Sequence, residues 1–135
     1  MSATPRPIAP RLFTDGRDGP RLVAARCPAC EQRHFPATAS CPYCGADGCR
    51  DDLVGPAARL FLYTAVRSAP PGYRGPLPFG FGVVELPERL RVITRLTETD
   101  LARLRPGQPM RLVIDTLFVD EETPVLSYAF VPEVP

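Results

Sequence analysis

Residues 27–45 open with Cys27-Pro28-Ala29-Cys30 and close, after ten intervening residues, with Cys41-Pro42-Tyr43-Cys44-Gly45. Each pair of cysteines is separated by two residues, a spacing that lets both sulfurs face inward from one tight turn whose backbone N–H groups are free to donate to the thiolates. Gly45 supplies the positive φ that such a knuckle needs just after its second cysteine. Two knuckles facing each other give four thiolates in a tetrahedral array, the preference of zinc. The expectation is one structural zinc ion on Cys27, Cys30, Cys41 and Cys44. A rubredoxin-like iron site takes the same ligands; zinc is preferred because nothing else in the chain points to electron transfer. Four protein ligands leave no open position, so the metal should organise the fold and not activate water.

Two neighbours of the knuckles are chemically conspicuous. Cys49 is a fifth cysteine whose spacing from Cys44 makes no third knuckle, and it reads as a spare thiol. His34, the chain's single histidine, lies between the knuckles and reads as a surface or packing residue.

Outward from the cysteines the composition divides. Residues 1–56 hold few aliphatic runs, whereas 57–131 hold nearly all of them. A small front module that needs help to fold is therefore expected ahead of a conventional core. Residues 1–10 carry three prolines and read as a loose arm. Arg11–Leu22 reads as one short helical turn that puts Leu12 and Phe13 on a core, with Gly16, Gly19 and Pro20 preventing a longer helix.

Behind the cysteines come five strand-like segments: Ala58–Ser68, Phe79–Leu86, Leu90–Thr97, Met110–Val119 and Val125–Val131. In the first, alternation puts Leu60, Leu62 and Val66 on one face and Phe61, Tyr63 and Arg67 on the other. Pro87-Glu88-Arg89 has hairpin length, and Asp120–Pro124 makes a second hairpin. Thr99–Arg105 reads as a single helical turn stopped by Pro106-Gly107. Alternation alone supports a small β-barrel or sandwich; a small helical element between strands three and four matches the layout of an OB-fold barrel. The expected fold is thus mainly β: an arm with a helical turn over 1–20, a rubredoxin-like zinc ribbon over 21–56 and a five-stranded OB-fold over 57–135.

Net charge is +1 over 135 residues, and all 16 cationic residues are Arg. Such a balance exerts no global pull on nucleic acid or an anionic membrane. No apolar run is long enough to span a bilayer and the first ten residues lack a signal-peptide core, so a soluble, cytoplasmic protein is expected. No Gly-rich phosphate loop is present, and Gly80 and Gly82 read as a bulge or a close backbone approach inside a strand. The acidic residues are scattered over strand ends and turns without an acid/base couple, so no catalytic residue is expected in this chain.

Several stretches together resemble a known family. Leu22–Cys30 (LVAARCPAC), Phe35-Pro36 and Cys41–Gly45 are similar to its zinc ribbon. Leu62–Arg67 (LYTAVR), Ala69–Tyr73 (APPGY), Val83–Leu86, Val92–Arg95 and Arg105–Met110 (RPGQPM) are similar, in kind and order, to its barrel. This is the zinc-ribbon/OB-fold family first catalogued as a domain of unknown function and later associated with acyl-CoA metabolism. Glu31 stands where the family usually has Gly, and Asp47–Val54 lacks its usual aromatic. The resemblance implies a non-catalytic subunit that partners a thiolase-fold enzyme, like the small subunit of benzylsuccinyl-CoA thiolase, and assists acyl-CoA thiolysis or acyl transfer on aromatic or steroid thioesters. With CoA as ligand of the complex, Tyr73 and Arg74 in the Pro-rich loop Ser68–Pro78 are the candidates to stack on adenine and hold a phosphate. The same residues also fit a single-stranded nucleic-acid-binding OB-fold, which the charge balance disfavours, or a stand-alone acyl-CoA-binding protein.

Overall fold

A computed structural model describes residues 4–133. Beyond one 3₁₀ turn, the regular elements of the described residues are strands. The first four are β1 (Arg6–Pro7), β2 (Phe13–Gly16), β3 (Gly19–Arg26) and β4 (Arg33–His34). β5 (Arg50–Val54), β6 (Ala57–Val66), β7 (Phe79–Leu86), β8 (Leu90–Leu96), β9 (Pro109–Asp120) and β10 (Thr123–Pro132) follow.

The last five strands close a barrel. β6, β7 and β8 run as an antiparallel meander. β10 then pairs with β8 in parallel and with β9 antiparallel, and β9 returns to β6. The ring β6-β7-β8-β10-β9 is the OB-fold, with the 3₁₀ turn Leu101–Arg103 between its third and fourth strands as expected. Asp100 caps that turn through the Ala102 amide at 3.0 Å, and Leu104 behind it enters the core. The β9–β10 connection places Glu121 and Glu122 in consecutive positive-φ conformations (47° and 71°), as a two-residue hairpin turn of matching twist requires.

In front of the barrel, β3 pairs with β2, β4 and β5 in a four-stranded sheet. The helical turn expected over Arg11–Leu22 is corrected here. Phe13–Gly16 and Gly19–Arg26 form a hairpin whose two-residue connection is Arg17-Asp18. The Gly16 and Gly19 that bar a helix are the residues flanking a tight β turn, and Phe13 pairs across it with Leu22. The loose arm is corrected likewise. Arg6 and Pro7 pair in parallel with Val125 and Leu126, and the Ile8 amide donates to the Leu126 carbonyl at 2.8 Å. Residues 6–8 of the arm therefore lie along the barrel wall, and residues 1–3 fall outside the described part.

One core serves both modules. Leu22, Ala24 and Val54 from the front sheet share a buried cluster with Leu60, Val84, Met110, Leu112 and Phe130 of the barrel. Phe35 adds an edge-to-face contact with Tyr128 at 5.4 Å between ring centres.

The alternation read along β6 fails at its middle. Pairing with β7 shifts register between Leu60 and Leu62, a β-bulge at Phe61. Beyond it the faces exchange. Leu62 points outward, while Tyr63 packs against the core and donates its hydroxyl to the Leu104 carbonyl at 3.2 Å. Gly82, opposite Tyr63, makes the bulge possible, because a Cβ there would sit 2.1 Å from the Leu62 carbonyl oxygen. Gly80 approaches the Glu98 carbonyl almost as closely. Gly82→Ala should lower the free energy of unfolding by about 3 kcal/mol, because the obstacle is backbone and cannot rotate away. Urea titration reads this directly, and a midpoint equal to wild type would contradict the bulge geometry.

Candidate metal centre

β3 ends at Arg26, and the chain turns at once into the first knuckle. The Glu31 amide donates back to the Cys27 carbonyl at 3.0 Å and the Cys27 amide to the Gln32 carbonyl at 3.0 Å. The second knuckle repeats the pattern: Gly45 donates to Cys41 at 2.9 Å and Cys41 to Ala46 at 2.8 Å. Glu31 (φ 64°) and Gly45 (φ 80°) occupy equivalent left-handed positions. Glu31 thus takes the conformation that glycine adopts more easily, and its carboxylate lies 3.6 Å from Arg26.

The four sulfurs all fall within 4.8 Å of one another. Cys27 Sγ stands 3.6 Å from Cys44 Sγ, and Cys30 Sγ 3.6 Å from Cys41 Sγ. An ion with metal–sulfur bonds of about 2.3 Å in a regular tetrahedron needs sulfurs about 3.8 Å apart. The knuckles therefore hold the sulfurs at the spacing a four-thiolate metal site requires.

The surroundings also stabilise thiolate charge. The amides of Ala29 and Cys30 donate to Cys27 Sγ at 3.4 and 3.5 Å, and that of Tyr43 to Cys41 Sγ at 3.4 Å. The Cys30 amide, helped by Ala29, pulls the Cys27 thiol down to about 6. Cys30 goes the other way: the Gln32 amide favours its thiolate, but burial and the neighbouring Cys41 and Cys27 sulfurs push it up to about 12. Four sulfurs so close cannot all ionise unaided, and a divalent cation at their centre removes the conflict.

His34 is buried and lies outside the sulfur cluster. Its Nε2 accepts the Thr38 amide at 3.2 Å, so it holds the loop between the knuckles in a packing role. Cys49 is half-buried beside the cluster but is not one of the four converging sulfurs; its amide donates to the Ala39 carbonyl at 3.0 Å.

Tyr73 and Arg74 occupy the β6–β7 loop on the barrel. The Tyr73 hydroxyl donates to the Pro76 carbonyl at 2.7 Å and its ring packs on Phe79 at 4.5 Å. Arg74 lies over the Phe118 ring at 4.6 Å and donates to Asp120 at 3.2 Å. Asp120 also accepts from Arg6 of β1 at 3.0 Å. One carboxylate thus ties the arm and the Pro-rich loop to the β9–β10 hairpin. The Arg74 guanidinium, with Arg6, holds the Asp120 carboxyl below the usual carboxylate range.

Architecture and site together define a small β protein: a four-cysteine ribbon built on the sheet of β2–β5, joined to a closed OB barrel. Two family models match it in succession. "ChsH2, rubredoxin-like zinc ribbon domain" covers residues 14–50, and "ChsH2, C-terminal OB-fold domain" covers 52–115. The chain belongs to this zinc-ribbon/OB-fold family. It is 24% identical over 122 residues to a DUF35 domain-containing scaffold protein of Pyrococcus furiosus, spanning 89% of this chain and 88% of the relative. It is 28% identical over 117 residues to the benzoylsuccinyl-CoA thiolase subunit BbsA of Thauera aromatica, spanning 86% and 78%. Among solved structures, a chain of the Ltp2-ChsH2(DUF35) aldolase superposes with a TM-score of 0.66 at 26% identity, over 84% of this chain and 86% of the other. No helix among the described residues is long and apolar enough to cross a membrane.

Two outcomes are expected. Purified protein should carry about one thiolate-bound metal ion per chain by elemental analysis. Cys44→Ser should lose it together with protection of the ribbon amides, and retention should weaken as pH falls because protons compete for the sulfurs; a well-folded, metal-free wild type would contradict the site. For the clamp, the depressed pKa of Asp120 means its ion pairs are present above about pH 4 and are lost as pH falls through the lower folded value. Asp120→Asn should therefore reduce hydrogen-exchange protection of the Ile8 amide roughly two- to five-fold at neutral pH, the range of an exposed ion pair. The wild type should show the same loss only in acid.

Proposed function

We propose that this chain is a non-catalytic, zinc-stabilised subunit that binds a thiolase-fold enzyme and supports its acyl-CoA thiolysis or acyl transfer, with aromatic or steroid thioesters as the substrate class. The observation that carries the reading is the end-to-end likeness to two proteins whose names describe such assemblies, a thiolase subunit and a component of an aldolase complex. In both, the match takes up more than three quarters of the other chain, so the likeness is not to one borrowed module. Zinc is the ion favoured by the ribbon match and by a closed shell of four thiolates.

The reacting groups then belong to the partner, and this chain contributes shape and charge. Arg74 and Tyr73 are the proposed CoA contacts. Arg74 would exchange the exposed carboxylate of Asp120 for a CoA phosphate, a change its permanently charged fork permits.

The test is co-expression of the tagged chain with the enzymes encoded beside its gene, followed by identification of what co-purifies and assay of CoA-thioester turnover. Recovery of a thiolase-fold enzyme whose turnover needs both chains is expected. A lone monomer that binds oligo-dT would overturn the reading. Titration of CoA into the complex should weaken about ten-fold or more with Arg74→Ala, the loss of one charge-assisted phosphate contact; unchanged affinity would remove Arg74 from the proposal.

A further inference from the structure

The outer face of β6–β8 carries apolar residues that the core does not use. Leu62, Val83 and Ile93 pair in one row across the three strands. Phe61 and Phe81 flank that row, and Leu62 and Ile93 are the most exposed of the group at 58% and 62%. Contiguous exposed apolar side chains on a sheet face mark an interaction surface, whereas isolated ones do not.

Three features bear on the face and on the occupant it suits. The first is how it is made. Plain alternation along β6 would bury Leu62; the bulge at Phe61, admitted only by Gly82, turns it outward. The bulge lies just past the end of the β6–β9 pairing, where it bends β6 onto β7, and it leaves an apolar side chain facing solvent on a rigid strand.

The second is charge. In the adjoining rows Arg91 donates to Glu85 at 3.1 Å while its guanidinium covers the Phe61 ring at 4.0 Å. Arg95 pairs with Asp115 on the other side, and Arg59 donates to the Gly107 carbonyl. With Arg91 and Arg95 each matched by a carboxylate and Arg59 held by a backbone carbonyl, these side chains form a polar rim around an apolar centre, the anatomy of a protein–protein contact. A nucleic-acid strand or the diphosphate of a nucleotide would need free cations there.

The third is size. The groove between Leu62, Gly82 and Ile93 has a volume of about 270 Å³. That is below the ~300–1,000 Å³ of typical small-molecule sites and is suited to one large apolar side chain acting as an anchor.

We infer that the outer face of β6–β8, centred on Leu62, Val83 and Ile93, is the docking surface for the enzyme subunit, which inserts an aromatic or branched aliphatic side chain beside Gly82. The inference rests on the partnership proposed above and assigns it a place on the barrel.

The test uses the full-length, metal-loaded chain and the purified enzyme subunit recovered with it, with binding measured by biolayer interferometry. Ile93→Asp and Leu62→Gln should each weaken binding about 30-fold or more, the scale of an interface hot spot. Val119→Asp, an equally exposed apolar position on β9, should stay within about two-fold. Metal content and thermal midpoint confirm that each variant is folded, and Ile93→Thr, which keeps a β-branched side chain, replaces any that is not. Wild-type affinity in folded Ile93 and Leu62 variants would overturn this docking face and leave the partnership standing. A wild-type chain that binds no enzyme would overturn both. A homodimer that Ile93→Asp dissociates while enzyme binding is unchanged would assign the face to a second copy and overturn the inference.

Discussion

The burial of β3 on both of its faces is the constraint from which the rest of the molecule is arranged. Leu22 and Ala24 enter the cluster shared with the barrel, while the alternate residues Val23 and Ala25 are buried outside that cluster. A strand covered on both sides cannot slip by one residue without turning a whole apolar set to the wrong face. Its register against β5, with Leu22 opposite Val54 and Arg26 opposite Arg50, is therefore fixed, and so is the point where the chain leaves it for Cys27. The first knuckle inherits its position from the barrel core. This is how a segment too poor in apolar residues to fold alone obtains a rigid base, and the metal has only to close the far end.

That division of labour fits the electrostatics of the cysteines. Backbone amides hold Cys27 low, and burial among sulfurs holds Cys30 high, so the unmetallated site divides into groups that ionise readily and groups that resist. A divalent ion converts the resisting thiols into ligands, and its binding free energy becomes folding free energy for the ribbon. Because the shell is complete with four sulfurs, the ion locks geometry and offers no coordination position for substrate.

How far the sequence could be read depended on how local each cause was. The cysteine site was fully legible, because two-residue spacers and the position of Gly45 are consequences of a single turn. All five barrel strands and the 3₁₀ turn were legible from alternation and from Pro106-Gly107. The closure of β10 onto β8 was not, since that pairing joins residues far apart in the chain. Two errors came from giving a true signal the wrong meaning. Gly16 and Gly19 were read as helix breakers when, with Asp15 and Asp18 between apolar residues, they mark a hairpin. The alternation along Leu60–Val66 was extended through a bulge whose only trace in the sequence is Gly82, on the neighbouring strand. The burial of His34 and the double grip of Asp120 on Arg6 and Arg74 were likewise invisible, because each depends on tertiary neighbours.

The bulge also separates two roles that a barrel this small would otherwise confuse. An interior-facing Leu62 would add to a core already filled by Leu60, Val84, Met110, Leu112 and Phe130. Turned outward, it contributes nothing to that core, and Tyr63 takes its place with a hydroxyl that needs and finds a partner in the Leu104 carbonyl. The exchange ties β6 to the segment behind the 3₁₀ turn and leaves an apolar row on rigid strands, where its geometry is set before any partner arrives. A preorganised face of this kind loses little side-chain freedom on association. The ribbon, fixed through β3 to the same core, is then held at one orientation relative to that face, so that whatever engages the barrel also meets the metal module in a defined place.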